Sequence, residues 1–467
     1  MARLTNEIER IKNLQNMDLS DSNTRQEIFS LLETLLGIII ELQQENQELK
    51  DEINRLKGEQ GKPNIKPKKP TVDVTAKKGQ LDTGTKKPWV KGSKNDKAQI
   101  DRVETIHLDT TALPPDVEFK GYEEKLVQNI LIKTDNVLYK LEKYYSPSER
   151  KTYIAEVDES IRSTEFGAET KALISCLYYE NRVTENKIAS FLNANGLSIS
   201  EGTISNILIK DQSKVLTKIK QEILEAGLRS SVYQQIDDTG MKIAGQNAYA
   251  TIVCNEKYSA FFINTSKSRE TVKSFLTAFL ASLFIVLVGD DAPQFKKIAK
   301  LFALCWVHEE RHYKKLVPVL DCHRAELDRV RGQIWVYYEK LKKYKAHPTE
   351  QKKSELWVEF DDIFGQEIGY DALNKRLSLT MEKKAELLVV LDYPQVPLHN
   401  NLSENGVREI VMKRKISGGV ETSDGVKAWE NNMSILGTCR KLRVSFYDFM
   451  IGVFSKNITI DLSGLIQ

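Results

Sequence analysis

Residues 231–243 read SVYQQIDDTGMKI, an alternating run that meets two adjacent carboxylates and then a Thr-Gly turn signal. Val232, Gln234 and Ile236 fall on one face of a strand and Tyr233, Gln235 and Asp237 on the other, and Thr239-Gly240 is expected to end the strand. Ionised carboxylates are seldom buried unless they are paired or hold a metal. The pair therefore either faces solvent near a hairpin end or serves a cation, and residues distant in the chain decide which.

Downstream, residues 249–254 (YATIVC) and 258–265 (YSAFFINT) extend the first strand into an antiparallel meander, with a turn at Asn255-Glu256-Lys257. A helix over 268–282 and a buried strand over 283–288 follow, stopping at Gly289-Asp290-Asp291. A right-handed crossover sets this strand beside the first, so the second Asp pair is expected close to Asp237. Residues 295–302 read as a helix and 303–307 as a short apolar run leading to His308. From 309 to 390 the pattern is helical almost throughout. Asn400-Asn401 then opens a helix carrying Glu404, with Arg408 one turn on and Lys413-Arg414-Lys415 beyond. This order of elements is that of a ribonuclease-H-like α/β core interrupted by an all-helical insertion.

Upstream, Leu35, Leu42, Leu49 and Leu56 recur every seven residues, and Leu32, Ile39, Asn46 and Ile53 fill the companion register. Leu at d, mostly Ile at a and a single a-position Asn favour a parallel two-stranded coiled coil, so residues 1–57 are read as a helical dimerisation segment. Residues 58–100 hold about a dozen lysines counting Lys57, with several Pro and Gly and few apolar groups. Such a stretch cannot bury enough surface to offset its ordering entropy, which makes it a flexible linker suited to phosphate contacts. Residues 101–166 are expected to form a small α+β module, with a helix near 122–132 and a core of Tyr139, Tyr144, Tyr145, Tyr153 and Phe166.

Residues 167–228 read as a helical DNA-binding domain. Within ENKIASFLNANGLSISEGTISNILI, Gly196 makes the turn of a helix-turn-helix, and Ser200 caps a second helix whose Ile204 and Leu208 face inward. Glu201, Thr203, Ser205 and Asn206 would then point outward toward DNA. The core is assigned to 229–308 and 396–450, the helical insertion to 309–395 and a C-terminal tail to 451–467. The fold class is thus multidomain α+β/α.

At 467 residues the chain exceeds a single core. Its five cysteines show no CxxC pair, which argues against a disulfide framework or a cysteine-based zinc module and for a reducing, cytoplasmic setting. Cys305 and His308 have zinc-like spacing but no second pair, so packing or a structural hydrogen bond is the expectation there, and Trp306 is read as core. The longest apolar window, 275–288, is too short to span a membrane.

The words QIDDTG, GDDAPQF, CWVHEERH and NNLSENGVR followed by KRK resemble the signature segments of the insertion-sequence-sixty-six family of bacterial DDE transposases, in order and over almost the whole chain. The resemblance implies Asp237, Asp290 and Glu404 as catalytic, metal-ligating carboxylates, with Asp238 and Asp291 left as alternative neighbours. It also implies two Mg²⁺ ions per site with Mn²⁺ as a substitute, double-stranded DNA (transposon ends and target) as substrate, and a nucleoid-associated homodimer or higher oligomer, with accessory element-encoded proteins as further partners. Arg408, Lys413, Arg414 and Lys415 are candidate DNA contacts. Two metals stabilise both the attacking and the leaving oxygen of a phosphodiester displacement, which is why three carboxylates from separate segments suffice. The sequence departs from its relatives in lacking cysteines in 101–166 and in writing Asp290-Asp291 where relatives write Asp-Gly. The competing readings are a non-catalytic dimeric helix-turn-helix regulator derived from a transposase, and a metal-dependent nuclease without strand transfer.

Overall fold

A computed structural model of the protein describes residues 100–108, 118, 120–156, 165–280, 286–318 and 320–467, together with scattered positions between 28 and 49. Those scattered positions are all helical, among them Leu35, Ile39, Leu42, Asn46 and Leu49; Ile53, Leu56 and the basic stretch 58–99 lie outside the described residues. The chain divides into two compact units, 46–135 and 1–45 with 136–467.

In the first of these, residues 100–108 and 120–135 carry no regular secondary structure. The helix expected near 122–132 is not formed. Ile130 and Leu131 are almost fully exposed, and a short helix with no surface to bury against is marginal in water.

The second unit begins its described sheet structure with an exposed hairpin, β1 (Lys143–Ser146) and β2 (Lys151–Ile154), paired antiparallel. Tyr139, Tyr144, Tyr145 and Tyr153 are exposed, so they do not form the small core expected of them. Helices α1 (Ala168–Ser175), α2 (Glu185–Ala194), α3 (Glu201–Ile209) and α4 (Ser213–Arg229) follow, α1 running on through a π-helical turn, Cys176–Glu180. Ser200 Oγ accepts from Thr203 N at 3.1 Å, and Gly196 has φ +92° in the turn between α2 and α3.

Five strands make the sheet: β3 (Tyr233–Ile243), β4 (Gln246–Cys254), β5 (Ser259–Asn264), β6 (Val286–Gly289) and β7 (Leu301–Leu304). Their order is β5-β4-β3-β6-β7, antiparallel as far as β3 and parallel beyond it. The helix α5 (Arg269–Leu280) lies between β5 and β6 in the chain. Strand β3 runs through Thr239-Gly240 instead of ending there. The reversal falls at Ala244-Gly245, where φ is +46° and +75°, the paired left-handed conformation that suits a two-residue hairpin. The helix expected over 295–302 is also absent: residues 294–300 form turns and bends, and Lys297 at φ +63° is incompatible with a continuing helix.

The insertion is helical as expected, with α6 (Trp306–Lys314), α7 (Asp321–Ala346), α8 (Glu350–Phe364), α9 (Asp371–Met381) and the short α10 (Lys384–Leu387) and α11 (Val389–Asp392). Trp306 anchors it. The indole packs on Tyr337, Phe360 and Phe364 and donates to the Leu387 carbonyl at 3.0 Å. The chain returns to the sheet as α12 (Asn401–Ser417) and finishes with α13 (Ser423–Leu442), α14 (Phe446–Phe454) and α15 (Leu462–Ile466).

One apolar cluster runs from Ile174 and Ile188 through Ile252 and Phe261 to Trp306 and Phe360, so the helices of 167–228, the sheet and the insertion share a core. Helix α13 explains how the edge of the sheet is closed. Glu430, Ser434 and Thr438, spaced one turn apart, accept from the free backbone N–H groups of Ile263 (2.5 Å), Phe261 (2.9 Å) and Ser259 (3.2 Å). That row of bonds blunts the edge strand β5.

Candidate active site

The pairing of β3 with β6 places two carboxylates at one level. Gln235 pairs with Val288, and two residues further on stand Asp237, still within β3, and Asp290, the first residue past the end of β6. Both lie at the carboxyl edge of the parallel pair. Asp237 is half-buried, and its Oδ1 accepts from Asp238 N at 2.8 Å.

The neighbouring carboxylates are otherwise engaged. Asp238 Oδ2 accepts from Gln294 Nε2 at 2.7 Å. Asp291 is gripped by Lys296 Nζ at 2.6 Å and by Lys383 from the insertion. Burial alone would raise the Asp291 carboxyl, but the two ammonium groups outweigh it and hold it below the usual range.

Glu404 comes from the first turn of α12 and is 15% exposed. Its Oε1 is buried without a hydrogen-bond partner. His308 Nε2 lies 3.6 Å from that oxygen, and Arg311 and Arg408 approach Oε2 at 3.5 and 4.0 Å. His308 and Arg311 are themselves 2.9 Å apart. The helix reaches the sheet through Gly406, where a Cβ would sit 2.1 Å from Ile252 Cδ1.

Electrostatics ties the three carboxylates together. Burial first, then the charge of Asp290, with smaller contributions from Asp238 and Glu404, push Asp237 up to about 7 against the pull of its bond from Asp238 N. Burial also raises Asp290, where the Ala292 N–H bond and His308 pull the other way. Half-buried carboxylates that destabilise one another in this way make a site whose charge calls for a cation. Among the described residues, no three His, Cys, Asp or Glu side chains are already gathered tightly enough to hold a metal ion as they stand.

The other sequence-selected residues are placed as follows. On α3, Glu201 and Asn206 are exposed, Glu201 accepting from Asn186 Nδ2 at 3.1 Å; Thr203 meets the Ser200 hydroxyl, and half-buried Ser205 bonds Glu185. Arg408 and Lys415 are exposed. Arg414 turns inward and donates to the Gly240 carbonyl. Lys413 lies 3.7 Å from the Tyr178 ring centre, and burial lowers its ammonium to about 8. Cys305 is buried. Two site residues escaped the sequence reading, Gln235 and Arg311, and His308 entered it only beside Cys305 as a packing or structural hydrogen-bonding residue. Consecutive glutamines inside a buried strand were the available signal, since a buried primary amide demands partners.

The fold and this site define a mixed α/β protein in which the charges of Asp290 and Glu404 bear on Asp237 beside the end of the parallel strand pair. Residues 163–428 match the Transposase IS66 family, more than half of the chain, and the protein belongs to that family. It is also 39% identical over 165 residues to an uncharacterised protein, y4jO, of Sinorhizobium fredii, an overlap covering 35% of this chain and 51% of the relative. The chain thus spans about half the length of the curated relative it matches. Among the described residues no helix is long and apolar enough to cross a membrane.

Proposed function

We propose that the protein is a DDE-type DNA transposase, in which a ribonuclease-H-like core cleaves DNA at element ends and joins the freed ends to target DNA. The observation that carries this reading is the crowding of Asp237 by Asp290 and Glu404, three carboxylates from separate segments at one sheet edge. The donor set is carboxylate oxygen throughout, and the partnerless Glu404 Oε1 is a buried acceptor, so these residues fit hard divalent cations. Bound there, two Mg²⁺ ions, or Mn²⁺ in their place, supply charge stabilisation to the attacking and leaving oxygens of an in-line displacement.

The chain's own residues do the rest. Asp237 sits on the central strand β3, next to the strand that ends just before Asp290 and against the helix that brings Glu404. Arg311 and Arg408 set positive charge beside Glu404, where a DNA phosphate gains charge-assisted hydrogen bonds. A groove of roughly 600 Å³ runs off beside Gln294, lined by Ser266, Lys267 and Arg269 among others, and suits a DNA backbone. Water attacks the phosphodiester and a 3′-hydroxyl leaves. That hydroxyl then attacks a target phosphodiester, one P–O bond forming as another breaks, with no covalent enzyme intermediate.

Helices α2 and α3 serve as the helix-turn-helix, with Glu201 and Asn206 its most exposed candidates for DNA contact and Lys415 a phosphate contact. The heptad seam is a dimer interface. Leu32, Ile39, Leu42 and Leu49 are about half exposed in the single chain, the surface that a second copy would cover.

The test is substitution. Asp237→Asn, Asp290→Asn and Glu404→Gln should each abolish Mg²⁺-dependent cleavage of labelled element ends while leaving end binding intact. Full cleavage by any one of them removes that residue from the assignment.

A further inference from the structure

Helix α12 carries Glu404 in its first turn, where the leading N–H groups of a helix have no partner within it. The residue at the cap position, Asn400, makes no side-chain capping bond, and both polar atoms of its buried amide are without partners. The cap comes from far away in the chain. Gln235 Oε1 accepts from Leu402 N at 2.9 Å and from Ser403 N at 3.3 Å, and its Nε2 donates to the His399 carbonyl at 3.2 Å. Both lone pairs of the amide oxygen are used.

Gln235 is 1% exposed and lies two residues before Asp237 in β3, so the two side chains share a face of the strand. An apolar residue would serve packing at a central buried strand position equally well, and burying a primary amide costs free energy unless its bonds are made. The same helix touches the sheet again at Gly406 on Ile252 and at Arg414 on Gly240, both further along from its start. The Gln235 bonds tie the strand of the first carboxylate to the turn that holds the third.

We propose that Gln235 is a positioning residue, a cap supplied by the strand that fixes where the Glu404 carboxylate stands relative to Asp237. The inference rests on the three-carboxylate reading given above. It makes Gln235 act through Glu404 and assigns it no contact with DNA or with the reacting atoms. Partners that orient ligating carboxylates typically change metal affinity or activity by about 10- to 100-fold when removed.

The full-length protein tests this with Gln235→Met, close in size and without hydrogen bonds, and Gln235→Glu, which keeps an acceptor for Leu402 and Ser403 N–H. The measurements are Mn²⁺ affinity of the DNA-free protein by water-proton relaxation, the cleavage rate on labelled ends, end binding and thermal unfolding. Gln235→Met should stay folded and bind ends as wild type does, yet hold Mn²⁺ at least about tenfold more weakly and cleave at least about tenfold more slowly. Gln235→Glu should recover most of both losses. A folded Gln235→Met with wild-type Mn²⁺ affinity and rate overturns the proposal. If that variant does not fold, Gln235→Glu decides: near wild-type values support the cap, and a loss as deep as that of Glu404→Gln overturns it. Glu404→Gln run alongside separates the two levels, because wild-type cleavage in that variant sinks the carboxylate reading itself, whereas a dead Glu404→Gln beside an unimpaired Gln235→Met sinks only the cap.

Discussion

Gly406→Ala would press on the seat of the helix that carries Glu404. A methyl group at 406 would stand 2.1 Å from Ile252 Cδ1, the next atom of that side chain being 3.5 Å away. Ile252 is fully buried, so its terminal methyl has no solvent to swing into. Overpacking of this kind costs about 1–3 kcal/mol, and alanine recovers about 1 kcal/mol over glycine inside a helix. The single variant should therefore be about 0–2 kcal/mol less stable than wild type. Ile252→Val deletes the clashing atom and on its own costs about 0.5–1.5 kcal/mol. With both changes the clash is gone, and the helix-propensity gain offsets the lost methylene, leaving stability within about 0.5 kcal/mol of wild type. The coupling between the two sites equals the clash, about 1–3 kcal/mol in favour of the pair. Urea unfolding of the four proteins measures it. Effects that simply add within about 0.5 kcal/mol would refute the claim that α12 rests on the sheet through this contact.

Three further outcomes follow from other parts of the molecule. Lys413 is held near 8 by burial, below its value in an unfolded chain, so between pH 8 and about 10.4 the unfolded state binds more protons and stability should rise with pH; Lys413→Met should lose that rise, as urea midpoints at pH 8 and pH 10 will show. Asp291→Asn should keep Mg²⁺-dependent cleavage, unlike Asp290→Asn, while losing about 1–3 kcal/mol of unfolding stability as the Lys296 and Lys383 clamp weakens. Deleting residues 1–57 should convert the protein to a monomer in sedimentation experiments, and an unchanged dimer would remove the heptad seam as the main interface.

The element order of the sheet was legible because strand alternation and helical periodicity report burial on one face, and β3, β4, β5 and α5 have such faces. The reading faltered where local signals compete with long-range pairing. Gly240 looks like a strand end, yet it lies opposite Tyr249 with Arg414 donating to its carbonyl, so tertiary contacts carry β3 three residues further. Lys297 has no sequence mark of its left-handed backbone, so 295–302 read as a helix. Around 130 the apolar residues suited a helix, but Ile130 and Leu131 are left exposed.

At the site, adjacent Asp-Asp pairs were ambiguous on chemistry alone; in the structure Asp238 is bonded by Gln294 and Asp291 by two lysines, which favours the proposed choice of Asp237 and Asp290. Local sequence could not announce Gln235 as a cap, because the N–H groups it serves belong to residues more than 160 positions later in the chain. Lys413 was chosen for its charge within KRK, but its ammonium is spent on the Tyr178 ring. Periodicity does not distinguish a lysine on a solvated face from one folded back over an aromatic.

The most direct test of the central claim is incubation of the purified full-length protein with labelled element ends, plasmid target and Mg²⁺, scoring end cleavage and strand transfer separately. Wild type should yield cleaved ends and joined products, and Asp237→Asn should bind the ends and yield neither. Wild-type binding without either product would contradict the account in favour of a regulator, and cleavage without joining would contradict it in favour of a nuclease.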